Sequence, residues 1–306
     1  MIKYYHQTLS SKQLKEIESF KDGSWIYVEM PTEEELNKLA LDLNLELGHL
    51  KDALDPNEVP RLEIEDSTLY IFRRVPYEEN NNFSTITILF ILANNYVVTI
   101  TLKHLAFFDK YFTGNESLPT THKIKLFVQL FSDIDSFYNT ALTIINRKIY
   151  NSSVKLDRIQ NRDIIEFITY EQIFNDFLNT LTRTNIILND LLSNKIISLA
   201  EEEHDLLEDL FLANGQLVES AKNSLQNVKN IRDAYSTILT NNLNRIIKLL
   251  TSLTIILTIP TMIASFFGMN VKVPFAKYPL AFLIIFIIAF GICIALVYLF
   301  SKKDWF

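Results

Sequence analysis

Residues 249–267 carry no charged side chain. A helix rises about 1.5 Å per residue, so roughly 20 apolar residues cross the roughly 30 Å hydrocarbon layer of a bilayer. This stretch meets that length, and it requires the chain to deliver a membrane helix. It is not uniformly apolar. Thr251, Thr254, Thr258, Thr261 and Ser265 recur three to four residues apart and therefore share one helix face. A hydroxyl face inside a bilayer turns to something other than lipid. Helix–helix packing, in which small hydroxyl residues let backbones approach, accounts for it, and so does a water-filled pore; packing is the commoner use. Pro260 removes one intrahelical bond in mid-membrane, which a neighbour or pore water must make good.

A second uncharged span covers residues 278–300, and the short connector 268–277 makes the two spans antiparallel neighbours. Arg245, Lys248, Lys302 and Lys303 flank one side of the pair and Lys272 and Lys277 the other, which places both termini in the cytoplasm and the chain in the plasma (inner) membrane as a multi-pass protein. Trp305 suits an interfacial anchor. The first residues, Met1-Ile2-Lys3-Tyr4-Tyr5-His6-Gln7, have no apolar core of signal-peptide length. Cys293, inside the second span, is the single cysteine, so no intrachain disulfide forms. Residues 244–306 hold a net +5, which leaves −12 of the formal −7 on residues 1–243. An acidic soluble part beside a membrane argues against nucleic acid and anionic lipid as partners; it attracts cations, though solubility alone explains it as well.

Upstream of the spans the apolar period is helical. Leu206, Leu210, Leu217, Ala221, Leu225, Val228, Ile231, Tyr235 and Ile238 form a stripe, with no proline between residues 200 and 259. Gly215 is the one weak point, at roughly 1 kcal/mol. A continuous helix over 200–267 would be about 100 Å long. It cannot bury its stripe alone, and this predicts an oligomer independently of any relative. Before it, residues 121–199 read as a helical hairpin: Ile124, Phe127, Val128, Phe131, Ile134, Phe137, Tyr138, Leu142 and Ile145 mark one helix, Asn151-Ser152-Ser153 interrupts, and a second helix runs over about 162–192. Residues 1–120 read as an α/β domain. A strand falls at 25–30, Thr32 caps an acidic-start helix ending near Leu43, a short helix covers 48–54, and three β-rich runs at 68–77, 84–92 and 96–102 form an antiparallel meander, with separators at 78–82 and Asn94-Asn95. The expected organisation is thus a cytosolic α/β domain (1–120), a helical hairpin (121–199), a stalk helix (200–247), a first transmembrane helix (248–267), an outer loop (268–277), a second transmembrane helix (278–300) and a basic tail (301–306). The membrane part is all-α.

Gly268 is the kind of residue that ends a helix in a left-handed turn. Gly268-Met269-Asn270, after a long helix, before a second span, and in a chain closing on Lys302-Lys303-Asp304-Trp305, resembles the signature of the CorA family of divalent-cation channels. The resemblance covers the whole chain and is specific near its C-terminus. It implies a homopentamer whose selectivity filter is Gly268, Met269 and Asn270, with the asparagine ring at the pore mouth. The face leading inward is Thr261, Thr258, Thr254, Leu250, Ile247 and Asn244. Leu250 and Ile247 make an apolar constriction that gates by dewetting, and the resemblance sets an asparagine ring, Asn244, below it. Asp233 falls where the family has an acidic stalk ring, and also reads as an ordinary solvated charge. Pro60-Arg61-Leu62-Glu63 is similar to a Pro-Arg/Lys-x-Glu segment of the family's cytosolic domain; by itself it reads as a turn with solvated charges. Asp52 and Asp209, near Asp55 and Glu208, match the regulatory divalent site through which family members close when cytosolic Mg2+ is high. Two departures bear on ion preference and capture. Phe267 stands where the family usually has tyrosine, and the connector Val271-Lys272-Val273-Pro274-Phe275-Ala276-Lys277 lacks the family's acid. The hairpin turn, 146–162, is mixed and basic rather than acidic.

The chemistry of such a pore is coherent. Mg2+ releases its waters reluctantly, and carboxamide oxygens accept hydrogen bonds from those waters without trapping the ion as carboxylates would. The C-terminus of the first span adds roughly half a negative charge per helix. The expected function is a homo-oligomeric channel for hydrated divalent cations, mainly Mg2+, with Co2+ and Ni2+ as further ions. Mg2+ is both cargo and regulator, no cofactor is needed, and the partners are the lipid bilayer and further copies of the chain. The alternatives are a zinc transporter of the same superfamily and a membrane-anchored coiled-coil sensor without a pore. An enzyme is not expected: His6, His49, His104, His122 and His204 show no ligand or triad spacing, and no phosphate loop is present.

Overall fold

The structure is a computed structural model of the whole chain. It describes all residues except 9, 10, 12, 80, 81, 115, 154–160, 194, 195, 198, 271–278, 304 and 306; for 161–163 it describes the backbone alone. Lys272, Lys277, most of the outer connector, the first residue of the expected second span and the middle of the hairpin turn lie outside the described residues. The chain divides into two units, Met1–Ile231 and Arg232–Phe306.

The first unit is built on a seven-stranded sheet: β1 (Ile2–His6), β2 (Lys15–Ile17), β3 (Ser24–Glu29), β4 (Arg61–Glu65), β5 (Thr68–Glu79), β6 (Asn82–Leu92) and β7 (Tyr96–Thr101). Its order is β2-β1-β3-β7-β6-β5-β4. The expected meander is there, since β5–β6 and β6–β7 pair antiparallel, but β3 joins β7 in parallel and brings β1 and β2 with it. The strands on either side of 78–82 run further than expected, because Glu78 and Glu79 stay paired, with Phe83 and Asn82. The segment Arg61-Leu62-Glu63 is not a turn. It is strand β4, held antiparallel to β5.

Both faces of the sheet are covered, which explains why its central strands are apolar at almost every position. Ile26, Val28, Tyr70, Phe72, Leu89, Ile91, Val98 and Ile100 point to one face and pack with Leu36, Leu39 and Ala40 of helix α1 (Glu33–Leu43) and Leu50 of α2 (Leu47–Asp52). Thr32 caps α1 in a full capping box with Glu35. On the opposite face Phe90 meets Phe127 and Phe131 of α4 (Lys123–Ser153). Between them the chain forms a short 3-10 turn and α3 (Asp109–Phe112), where Phe108, Tyr111 and Phe112 enclose Trp25, whose indole N–H donates to Thr99.

Helix α5 (Asn161–Leu192) follows, and then α6 (Glu201–Phe267), one helix of 67 residues. The apolar stripe of α6 is buried through Leu210, Leu217, Ala221, Leu225 and Val228. A buried polar cluster ties the layers together. Arg73 of β5 donates to Asp135 of α4 and to the Phe131 carbonyl, and the amide of Asn214 on α6 lies 3.5 Å from the same Asp135 oxygen. The second unit contains the rest of α6 and α7 (Ala281–Lys302). Both helices contain a segment long and apolar enough to cross a membrane, and almost none of either segment is buried within the chain. Trp305 stacks on Phe300, its ring 5.1 Å away, at the end of α7.

Candidate functional site

The expected ion path lies along the membrane half of α6. Asn244, Ile247, Leu250, Thr254, Thr258 and Thr261 are all exposed in the single chain. At 3.6 residues per turn they stay within one side of the helix. The side chains that α6 turns to α7 are Pro260, Ile263, Ala264 and Phe267, which with Phe282, Phe286, Phe290 and Cys293 line an apolar cavity of about 500 Å3. The same helical count puts Pro260, Ile263 and Phe267 roughly opposite the threonines, with Ala264 at the flank. Packing against α7 therefore does not use the hydroxyl face.

Four of the five stripe hydroxyls are engaged in one direction. Thr254 donates to the Leu250 carbonyl, Thr258 to Thr254, Thr261 to Leu257 and Ser265 to Thr261, at 2.7–2.8 Å. A hydroxyl has one hydrogen and two lone pairs. With the hydrogen spent on the helix, what remains to face outward is acceptor capacity. Such a surface suits the hydrogens of a cation's water shell.

The helix ends at Phe267, and Gly268, Met269 and Asn270 follow it, all exposed. Gly268 does not adopt the left-handed conformation expected of it; the left-handed glycines among those described are Gly23 and Gly114. Its N–H donates to the carbonyls of Ala264 and Ser265, so helical bonding continues through this residue before the chain leaves the axis. A Cβ there would sit 3.4 Å from the Ala264 oxygen, an ordinary contact.

The two expected regulatory carboxylates differ in setting. Asp52 ends α2, half-exposed, and accepts from Arg61 Nη2 at 2.7 Å. The same guanidinium pairs with Glu58 and with Glu63 (3.2 Å) and lies 4.0 Å from the Phe72 ring. The Pro60-Arg61-Leu62-Glu63 segment thus gains a structural meaning: it aims one cation at three acids. Asp209 is exposed on α6. Beside it, His204, Asp205 and Glu208 bring one ligand atom each within 4.8 Å of one another, a cluster with a single histidine whose members sit on about one helix turn. Exposed acids are ordinary company for a helix start. Asp233 is exposed and held by the neighbouring Arg232 at 3.2 Å. Among the other histidines, His104 bridges Glu29 and Asp109, and these hydrogen bonds raise its pKa above the usual histidine value.

The family model described as CorA-like Mg2+ transporter protein matches residues 20–303. The chain is 25% identical over 302 residues to the cobalt/magnesium transport protein CorA of Methanocaldococcus jannaschii, covering 94% of this chain and 93% of that one. It is 26% identical over 242 residues to the magnesium transport protein CorA of Helicobacter pylori, covering 74% and 73%. The complete structure of the M. jannaschii CorA magnesium transporter superposes with a TM-score of 0.87 at 20% identity, over 100% of this chain and 99% of that one. The fold is therefore that of a full-length CorA, α/β domain, long helix and C-terminal helix included. On the breadth of the family match, the chain belongs to the CorA-like Mg2+ transporter family.

Proposed function

We propose that this chain assembles around a shared axis, as a homopentamer, into a channel that passes hydrated Mg2+, and that Co2+ and Ni2+ also enter it. The observation that carries this reading is the orientation of the α6 hydroxyls. They lie on the side away from α7, and their hydrogens are committed to the helix backbone. A wall of lone pairs receives the water hydrogens of a fully hydrated ion, which spares Mg2+ the dehydration it resists.

In this reading Asn270 forms the outer mouth and offers carboxamide oxygens to the same water shell, with Met269 and Gly268 completing the filter. Thr261, Thr258 and Thr254 line the outer half. Leu250 and Ile247 close the inner half by excluding water, and Asn244 and Asp233 form polar rings below. Both termini lie in the cytoplasm. Cytosolic Mg2+ holds the closed state by bridging Asp52 of one copy and Asp209 of the next, and its loss leaves like charges facing each other, so the ion biases a two-state assembly. Because Asp52 is paired with Arg61 in the free chain, the incoming ion must compete with an internal cation.

Purified protein in liposomes tests the reading. Mg2+ influx should be robust for the native chain and fall at least tenfold for Asn270→Ala. Absence of flux from the native chain, together with an unaltered Asn270→Ala variant, would remove the pore.

A further inference from the structure

Proline has no N–H. At Pro260 the helical bond that should run back four residues is missing, and the carbonyl left without it is that of Ile256. In hydrocarbon such an oxygen needs another donor. The hydroxyls of α6 do not provide one, since those at 254, 258, 261 and 265 are committed to the carbonyls of Leu250, Thr254, Leu257 and Thr261. The second helix does: Cys293 Sγ lies 3.7 Å from the Ile256 oxygen. Over residues 281–297 Cys293 is the only side chain of α7 that can donate a hydrogen bond at all. The separation suits sulfur, whose hydrogen bonds are longer than those of oxygen.

We propose that the Cys293 thiol replaces the hydrogen bond that Pro260 takes from Ile256, and that this bond is the polar latch seating α7 against α6. Pro260, Gly268 and Cys293 all line the α6–α7 cavity. The latch therefore sets how the helix approaches Gly268-Met269-Asn270, which makes Cys293 a positioning residue for the filter. This last step rests on the pore reading above; the hydrogen bond does not.

The chain has one cysteine, so its S–H stretching band in the infrared, well separated from other protein bands, reports Cys293 alone. In full-length protein in lipid the band should sit at the lower frequency of a donating thiol. A free-thiol band overturns the proposal. A double-mutant cycle with Pro260→Ala, which returns an N–H to position 260, separates the bond from packing. Cys293→Ala should raise the unfolding equilibrium constant in mixed micelles about threefold more in the native background than beside Pro260→Ala, the size of an average interhelical hydrogen bond in a membrane. An equal effect in both backgrounds makes Cys293 a packing residue and overturns the latch. Mg2+ flux follows the same cycle if the latch positions the filter. Flux unchanged by Cys293→Ala, with the thiol band still that of a donor, rejects the positioning role and keeps the bond. A donating thiol in protein that conducts in no variant rejects the pore instead.

Discussion

Arg61 stands among Asp52, Glu58 and Glu63 and over the Phe72 ring, so a single side chain sets the charge of the α2 end and of strand β4. Its pairs are partly open to water, where each is worth little, about 0.2–1 kcal/mol. That small value suits a place where an outside cation has to displace an inside one. In the proposed channel, Arg61→Gln should lower the Mg2+ concentration that half-closes it by about two- to fivefold; a titration of liposome flux against internal Mg2+ checks it. No change would separate Asp52 from closure. Arg73 is the opposite case. It and Asp135 are almost wholly buried, and removing one partner leaves the other charge uncompensated. Asp135→Ala should cost about 3–5 kcal/mol of stability, read by denaturant unfolding. Neither pairing was visible in the sequence. Arg73 and Asp135 are 62 positions apart, and Arg61 reads as one charge in a turn unless the pairing of β4 with β5 is known.

The elements themselves were legible in proportion to their length and period. The N-cap at Thr32 and the end near Leu43 matched α1, and the three- and four-residue apolar spacing marked α4, α5 and α6. Strands β1, β2 and β4 escaped. β2 has three residues, and β4 alternates charged with apolar side chains at the edge of the sheet, directly after Pro60. The parallel pairing of β3 with β7 joins segments about seventy residues apart, and no local pattern announces it. The threonine stripe and the gap at Pro260 were readable along one helix. The partner of that gap was not, because it depends on how α7 is placed lengthwise against α6, which hydrophobicity alone does not set. Gly215 repeats the lesson in small. Open space surrounds the position where its Cβ would stand, so in this chain nothing but helix propensity counts there. Gly215→Ala should stabilise the protein by about 1 kcal/mol, visible as a higher Tm of the full-length protein in detergent; a lower Tm would show that this spot is occupied in the assembly.

At the scale of the molecule the unburied apolar surface is the dominant fact. On α6, Leu243, Ile246, Ile247, Leu249 and Leu250 are exposed within a few turns, some of them at or before the start of the charge-free stretch where lipid can cover them. A helix with such a surface needs other helices around it. Ile246→Asp should therefore convert the assembled protein to smaller species, measured by light scattering of the detergent-purified chain, while the α/β unit keeps its fold by circular dichroism. An unchanged mass would move the contacts between copies elsewhere.

Thr254, Thr258, Thr261 and Ser265 of α6 give their only hydroxyl hydrogens to their own helix. In the proposed pore, a file of water along that wall finds many sites to donate to and few to receive from. These four side chains therefore have no hydrogen left to pass a proton on themselves, whereas an ion carrying its own shell needs acceptors alone. The same four bonds that bind side chain to backbone fit this wall to the shell of a hydrated cation and leave it little to offer an anion, which seeks donors.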